Sequence, residues 1–262
     1  MPERIVQLQG RLFLNFTLTA KTGLHIGGSP NNVAIGHLDH HVLRNPLNDQ
    51  PYIPGSSLRG KMRSQLEKQL GVPQNQRIGQ IFIHTCQTWR DYRACKVCRT
   101  FGLPGEREFS EVSRLIVRDA FLTKASADQL KELPTELPFT EIKGEAMIDR
   151  VNSATVPRQQ ERVPAGAIFA GELTFSLYKY DQRDQDQQEL ELFSAVLEAL
   201  NLVEEDYLGG QGSRGSGQVV FSALTLRMRM NKAYNNLQDV REAATLNEMQ
   251  EEWQKILADL VK

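Results

Sequence analysis

Between Arg11 and Ala20 the chain alternates: Leu12, Leu14, Phe16 and Leu18 fall on one side, Phe13, Asn15, Thr17 and Thr19 on the other. That period of two predicts a half-buried strand. It returns over Glu172–Tyr178, with Leu173, Phe175 and Leu177 inward. Arg114–Leu122 has a strand-like apolar centre, and Val219-Val220-Phe221 reads as another strand. Elsewhere the spacing is helical. Leu58, Met62, Leu66 and Leu70 recur every four residues, and Leu190, Phe193, Val196, Leu197 and Leu200 make a second stripe. Near the end, Leu246, Met249, Trp253, Ile256 and Leu260 follow Thr245 and Glu248, which have capping-box spacing. Ser56 or Ser57 is expected to cap the first helix behind Pro54. The acidic, glutamine-rich run Asp181–Glu189 is expected to be a solvated loop, and the connection through Pro134 and Pro138 to lie outside the core. This order of elements gives an α+β domain. It runs over residues 1–230, with a helical extension over 231–262.

The 262 residues are 40% hydrophobic and 24% charged, ordinary for a globular chain able to bury a sizeable core. A net charge of -1 does not advertise nucleic-acid binding, but local basic patches rather than the total decide affinity for phosphates. No apolar run reaches membrane-span length and the N-terminus lacks a signal-peptide core, so a cytoplasmic location without membrane is expected.

Candidate chemistry gathers in four places. Arg59, Lys61 and Arg63 lie in the first turns of the first predicted helix, beside Ser56 and Ser57. Cations there oppose the helix dipole unless an anion joins them, so the turn is either a phosphate site or a solvated basic face. His84-Thr-Cys86 and Cys95-Lys-Val-Cys98 contain all three cysteines, and offer four ligands for a closed tetrahedral zinc site; free or redox-active thiols are the alternative. The glutamate of a zinc deaminase motif is missing, so this metal is structural rather than catalytic. Arg90, Arg93, Lys96 and Arg99 surround it and are candidates to touch an RNA backbone. Leu208-Gly-Gly-Gln-Gly-Ser-Arg-Gly-Ser-Gly217 contains the spacing Gly210, Gly212, Gly215, but a helix precedes it and a strand follows, which excludes a dinucleotide fold. The glycines and Arg214 instead suit close approach to phosphates. His37, His40 and His41 surround Asp39, a weak metal-site spacing.

Several of these motifs carry a resemblance. Leu24-His25-Ile26-Gly27-Gly28, Ile35-Gly36-x-x-Asp39, Ile53-Pro-Gly-Ser-Ser-Leu-Arg-Gly-Lys-Met-Arg63, Arg114-Leu-x-x-Arg-Asp-Ala-Phe121 and the glycine cluster resemble the RAMP-superfamily backbone subunits of type III CRISPR effector complexes. The resemblance implies a ferredoxin-like (RRM-type) palm over 1–230 with two insertions, a zinc-binding loop at about 76–110 and a thumb β-hairpin at about 139–168 that includes Glu141–Val163, and a C-terminal helix. It implies binding of guide crRNA and complementary target RNA beside neighbouring RAMP subunits. His25, Ser56, Ser57, Arg59, Lys61, Arg63, Arg150, Arg158, Arg162, Gly210, Gly212, Arg214 and Gly215 would be the RNA contacts. Asp39 would be the residue that cuts target RNA with Mg²⁺ or Mn²⁺, although His40 and His41 depart from the small residue and proline usual in the family. A purely structural RNA-binding subunit, or a nuclease that processes guide precursors, are the other readings.

Overall fold

The computed structural model describes residues 5–27, 41–105, 107–180, 186–230 and 238–260. In chain order come strands β1 (Val6–Ala20) and β2 (Tyr52–Ile53), then helix α1 (Gly55–Gln69). A hairpin of β3 (Gln76–Ile78) and β4 (Ile81–Ile83) leads to the short helices α2 (Trp89–Ala94) and α3 (Lys96–Phe101). Strands β5 (Leu115–Val117) and β6 (Ala120–Leu122) precede α4 (Lys124–Lys131), and a second hairpin joins β7 (Glu141–Ile148) to β8 (Thr155–Arg162). The long strand β9 (Ile168–Tyr180), helix α5 (Asp186–Glu205), strands β10 (Val219–Met230) and β11 (Gln238–Ala243), and helix α6 (Leu246–Leu260) complete the chain.

Seven strands form one antiparallel sheet in the order β11-β10-β1-β9-β6-β2, with β5 also on β9. The central strands β1 and β9 open the two strand–helix–strand units, β1–α1–β5/β6 and β9–α5–β10. The alternation in β1 works as expected: Leu12, Leu14, Phe16 and Leu18 are buried, while Phe13, Asn15, Thr17 and Thr19 stay half-exposed. Leu173, Phe175 and Leu177 meet them from β9, and Leu190, Phe193, Val196, Leu197 and Leu200 of α5 close the layer. Ring contacts extend the core outward: Phe175 meets Phe193 at 5.7 Å, and Phe193 meets Trp253 of α6 at 4.9 Å. Trp253 is fully buried and donates Nε1–H to Ser194 Oγ at 3.1 Å.

Four expectations change. Helix α1 starts at Gly55 behind Pro54, with no side-chain cap from Ser56 or Ser57. The Gly55 N–H goes to Asp119 Oδ1 at 2.8 Å, from the bend between β5 and β6, so a distant carboxylate compensates the helix dipole. Leu58, Met62 and Leu66 are buried but Leu70 is 41% exposed, because it is the C-cap beyond the packed stripe. The run expected as a solvated loop turns helical at Asp186 and places Glu189 in the interior. Beyond Met230 the chain first adds β11 to the sheet edge, and α6 then packs on α5, so both are continuous with the core. Helix α4, with Ala127 and Leu130 buried, was not foreseen at all.

Glu189 explains why Arg114 and Arg99 are inside. Arg114 is fully buried and donates to Glu189 from Nε and Nη2 at 2.5 and 2.7 Å, and to Glu111 at 2.8 Å. Arg99 of α3 reaches the same Glu189 carboxylate at 2.5 Å. Burial alone would lower the Arg114 pKa, but the hydrogen bonds and charge of Glu189 more than compensate and hold it above its ordinary value. Arg99, expected at an RNA backbone, is therefore a structural tie between α3 and α5. Arg90, Arg93 and Lys96 remain exposed.

Candidate functional site

Three of the singled-out segments meet where β1 ends and β10 begins. Leu24 bridges Val163 just past β8, and Gly217 N–H donates to Gly23 O at 2.9 Å. Gly210 N–H donates to His25 O at 2.8 Å. A side chain at Gly209 would strike that same His25 carbonyl, so the glycine loop lies flush on the His25 backbone. Gly212 is pressed against the Tyr207 ring, Arg214 is exposed and bonds to Gln211, and Gly215 ends the short turn at φ +80° with open space around it. From the β7–β8 hairpin, Lys143 Nζ reaches Arg214 O at 3.4 Å.

His25 is buried and its Nδ1 lies 2.7 Å from Glu161 O. A carbonyl only accepts, so Nδ1 carries the proton and the ring is fixed in one tautomer when neutral. The Glu161 carboxylate, itself buried, takes Val42 N–H at 2.9 Å, Arg44 Nη2 at 2.6 Å and Thr140 Oγ1 at 2.7 Å, with His41 Nδ1 3.4 Å away. Burial pushes its pKa up; these donors win and hold it below the ordinary carboxylate value. Gly27 bridges Val42, and Leu43 N–H donates to Ile26 O at 2.9 Å. The segment 28–40 therefore leaves and re-enters at one closed neck, beside Glu161 and the glycine loop. Asp39, His37 and His40 lie on that segment, outside the described residues. Sequence reading took Arg158 and Arg162 and passed over Glu161 itself; β8 has no alternating pattern to mark it, since Gln160 and Glu161 are buried side by side after five exposed residues.

The basic residues of α1 are largely committed to the protein. Arg59 donates to Phe101 O at 2.5 Å and Ser113 Oγ at 3.1 Å. Arg63 donates to Glu67 at 2.7 Å, Gly102 O at 3.1 Å and His84 O at 2.8 Å. Lys61 pairs with Asp206 at 2.6 Å and lies 3.6 Å from the centre of the Tyr207 ring. These three expected RNA contacts act as clamps here, tying α1 to the Cys/His loop and to the root of the glycine loop. Ser56 is exposed and Ser57 half-exposed. On the hairpin, Arg150 and Arg158 are exposed, while Arg162 at its foot is paired with Glu141 at 2.6 Å.

His84, Cys86, Cys95 and Cys98 converge, with all ligand atoms within 4.8 Å of one another. His84 Nε2 is 3.7 Å from Cys86 Sγ and 3.4 Å from Cys95 Sγ. A tetrahedral site with ordinary metal–ligand lengths needs about 3.6 Å between sulfur and imidazole nitrogen, so the spacing fits. His84 Nδ1 is held by Pro73 O at 2.9 Å, which turns Nε2 toward the sulfurs. A hydrogen bond with Cys98 draws the Cys95 thiol down to about 5, whereas burial pushes Cys86 up to about 12. The bond to Cys95, ahead of burial, also raises Cys98. One thiolate forms readily; a divalent cation is the partner that would let the other two ionise. The helix ends support this packing: Thr88 caps α2 and Cys95 Sγ accepts from Cys98 N–H at 3.4 Å.

Residues 17–220 match the RAMP superfamily model. Over 256 residues the chain is 34% identical to the Methanocaldococcus jannaschii protein named CRISPR system Cms endoribonuclease Csm3, covering 95% of each. It is 38% identical over 229 residues to the Streptococcus thermophilus protein of the same name, covering 87% of this chain and 91% of that one. The Csm3 and Csm4 subcomplex of a type III-A CRISPR-Cas interference complex contains a similar chain, with TM-score 0.60 and 27% identity over 95% of this chain and 97% of that one. The Methanopyrus kandleri Csm3 crystal structure has the same fold, with TM-score 0.67 at 19% identity over 96% and 98% of the two chains. With a family model matching most of its length and relatives of equal length at this identity, the chain belongs to the RAMP superfamily.

Proposed function

We propose that this chain is a guide-RNA-binding backbone subunit of a type III CRISPR effector complex, and that it cuts complementary target RNA as a divalent-metal-dependent endoribonuclease. The observation that carries the reading is the closed neck: the segment bearing Asp39 is gripped at both ends beside the glycine loop and the foot of the β7–β8 hairpin. The order β10-β1-β9-β5/β6, with α1 and α5 in the two crossovers, supports a ferredoxin-like palm, and the hairpin is its thumb. Exposed Arg150, Arg158 and Arg214, with Ser56, Ser57 and the glycine backbone, supply donors for phosphates and bases of guide crRNA and target RNA. No helix among the described residues is long and apolar enough to cross a membrane, in keeping with work in the cytoplasm beside other RAMP subunits.

Asp39 would hold a Mg²⁺ or Mn²⁺ ion through its carboxylate, and that ion would stabilise charge on the scissile phosphate. Glu161 is not the second ligand, because both its oxygens already accept from Val42, Arg44 and Thr140. RNA oxygens would have to supply the other ligands, so the chain alone would be a poor catalyst. The ribose 2′-hydroxyl beside the cut would lose its proton and attack phosphorus as the P–O5′ bond breaks, giving a 2′,3′-cyclic phosphate and a leaving 5′-oxygen that takes up a proton. The Cys/His cluster suits a structural Zn²⁺ that staples the inserted loop, since its four donors are spaced and oriented for a closed tetrahedron.

Complex assembled with wild-type or Asp39→Ala chain, given labelled RNA complementary to the guide and Mg²⁺ or Mn²⁺, tests the nuclease. Loss of cutting with unchanged target binding is expected. Undiminished cutting would make the chain a scaffold at that site.

A further inference from the structure

The Cys/His cluster is more accessible than a closed structural metal site requires. A cavity of about 580 Å³ opens between the end of α1 and the inserted loop, and His84, Cys86 and Cys95 form one wall of it. Gln87 and Lys96, both exposed, stand at its rim. Thr85, only 1% exposed, lies on the same wall with a hydroxyl that lacks a hydrogen-bond partner. A small polar molecule that enters the cavity therefore meets sulfur beside an unspent donor. Cys98 is fully buried and does not line the cavity.

The sulfurs of Cys95 and Cys98 are placed unequally. Cys95 is the N-cap of α3 and half-exposed, whereas Cys98 lies one turn further on and its N–H donates to Cys95 Sγ at 3.4 Å. A Cys-x-x-Cys pair at the start of a helix, one sulfur reachable and the other sheltered, is how dithiols that cycle to disulfides are built. The ligand atoms of the cluster already lie within 4.8 Å of one another. Residues three apart across a helix start also bring their Cα atoms into the range that a disulfide spans.

We propose that this pair is a peroxide-responsive thiol switch, in which Cys95 and Cys98 form a disulfide that excludes the metal and loosens α1. The Cys95 sulfur attacks hydrogen peroxide and the O–O bond breaks, leaving Cys95 sulfenic acid; the departing oxygen takes the thiol proton and leaves as water. The Cys98 sulfur then attacks the Cys95 sulfur. The S–S bond forms, and the departing hydroxide takes the Cys98 proton as a second water. Two electrons pass from the sulfurs to the peroxide, and a dithiol reductant returns them. The disulfide leaves His84 and Cys86, two donors where a closed tetrahedron needs four, so disulfide and metal exclude each other. Helix α1 responds because Arg63 holds His84 O at 2.8 Å and Gly102 O at 3.1 Å, while Arg59 holds Phe101 O at 2.5 Å. Phe101 and Gly102 form the far end of the helix that Cys95 opens.

The full chain, reduced and loaded with zinc, is titrated with hydrogen peroxide beside a chromophoric chelator. The thiol count should fall from three to one, the intact mass should drop by two hydrogens, and zinc should be released in step. Peptide mapping should place the cross-link between Cys95 and Cys98, and dithiothreitol should restore every thiol. Hydrogen exchange in α1 should quicken roughly tenfold on oxidation, about the worth of one charge-assisted hydrogen bond, with far-UV circular dichroism unchanged. Cys98→Ser should stop at Cys95 sulfenic acid, trapped by dimedone. Cys86→Ser keeps the pair and should still form the disulfide, which decides the matter if the Cys98 variant misfolds. A cross-link through Cys86, oxidation of the wild-type chain straight to sulfinic acid, or thiols that resist peroxide until the chain unfolds overturns the proposal. So does a disulfide that leaves zinc bound and α1 exchange unchanged, and a chain that takes up no zinc removes the metal half of the switch.

Discussion

Replacing Glu189 with alanine is expected to be the most damaging single change outside the apolar core. The carboxylate is 3% exposed and is the shared counter-charge for Arg114 and Arg99, so its loss leaves two guanidinium groups buried with one anion, Glu111, beside Arg114. Without Glu189 the burial that lowers the Arg114 pKa loses its main offset, yet a guanidinium stays charged inside proteins, so Arg114 does not escape by losing its proton. Breaking a buried ion pair by removing one partner costs roughly 3–5 kcal/mol. For a chain of this size each kcal/mol lowers the melting temperature by about 2–4 °C, so a fall of about 10 °C is expected. Urea and thermal unfolding followed by circular dichroism would read it. A second variant separates charge from packing: Arg99→Met, Arg114→Met, Glu111→Gln and Glu189→Leu together should recover most of the loss, since uncharged groups of similar volume need no counter-charge. A cost below about 1 kcal/mol for Glu189→Ala would show that water reaches this network and that the burial argument is wrong.

Cys98→Ser, or chelation, should remove stoichiometric zinc measured by elemental analysis and lower the melting temperature. Reduced, undamaged protein that never contained zinc would defeat the metal assignment. Glu161→Ala is expected to cost roughly 1–3 kcal/mol by removing the buried acceptor of Val42 N–H, Thr140 and Arg44, which keeps Asp49, and hydrogen exchange should quicken at Val42 and Leu43. The folded Glu161 pKa is depressed, so its stabilisation is present above the ordinary carboxylate pKa and lost as pH falls through the folded value; the variant should lose less stability on acidification. Gly55→Ala should cost roughly 1–3 kcal/mol, because its methyl group would press on the Val117 carbonyl; an unchanged denaturation midpoint would mean that α1 and β5 separate easily. Trp253→Ala should cost about 3–5 kcal/mol in a single unfolding transition, whereas a separate early transition would make α6 an appendage.

The parts of the fold legible from sequence are those set by periodicity over many residues. β1, β9 and α5 announce themselves because their inward residues repeat without interruption and pack on one another. The Cys/His cluster was equally readable, since ligand type and spacing describe the site almost completely. What stayed hidden depends on pairs far apart in the chain. Asp119 caps α1 from 64 residues away, and Glu189 serves arginines 75 and 90 residues back. No local pattern marks such pairs; a glutamine-rich acidic run looks solvated until two buried cations need one of its carboxylates. β11 and α4 escaped for another reason. They are short, and tertiary packing rather than propensity decides them.

The same distinction governs the arginines. A basic residue beside a helix N-terminus and one in an exposed hairpin have similar sequence signatures, yet Arg59 and Arg63 spend their donors on Phe101, Gly102 and His84 carbonyls while Arg150 and Arg158 face solvent. Those carbonyls flank the Cys/His ligands, so the inserted loop and α1 hold each other in place. The order of the Cys/His cluster and the position of Ser56 and Ser57 are therefore linked through two guanidinium groups. Disrupting the Cys/His cluster should first loosen α1, at the opening turn proposed above to meet RNA, and only then the sheet behind it, which keeps its own core of Leu12, Leu14, Phe175 and Leu226.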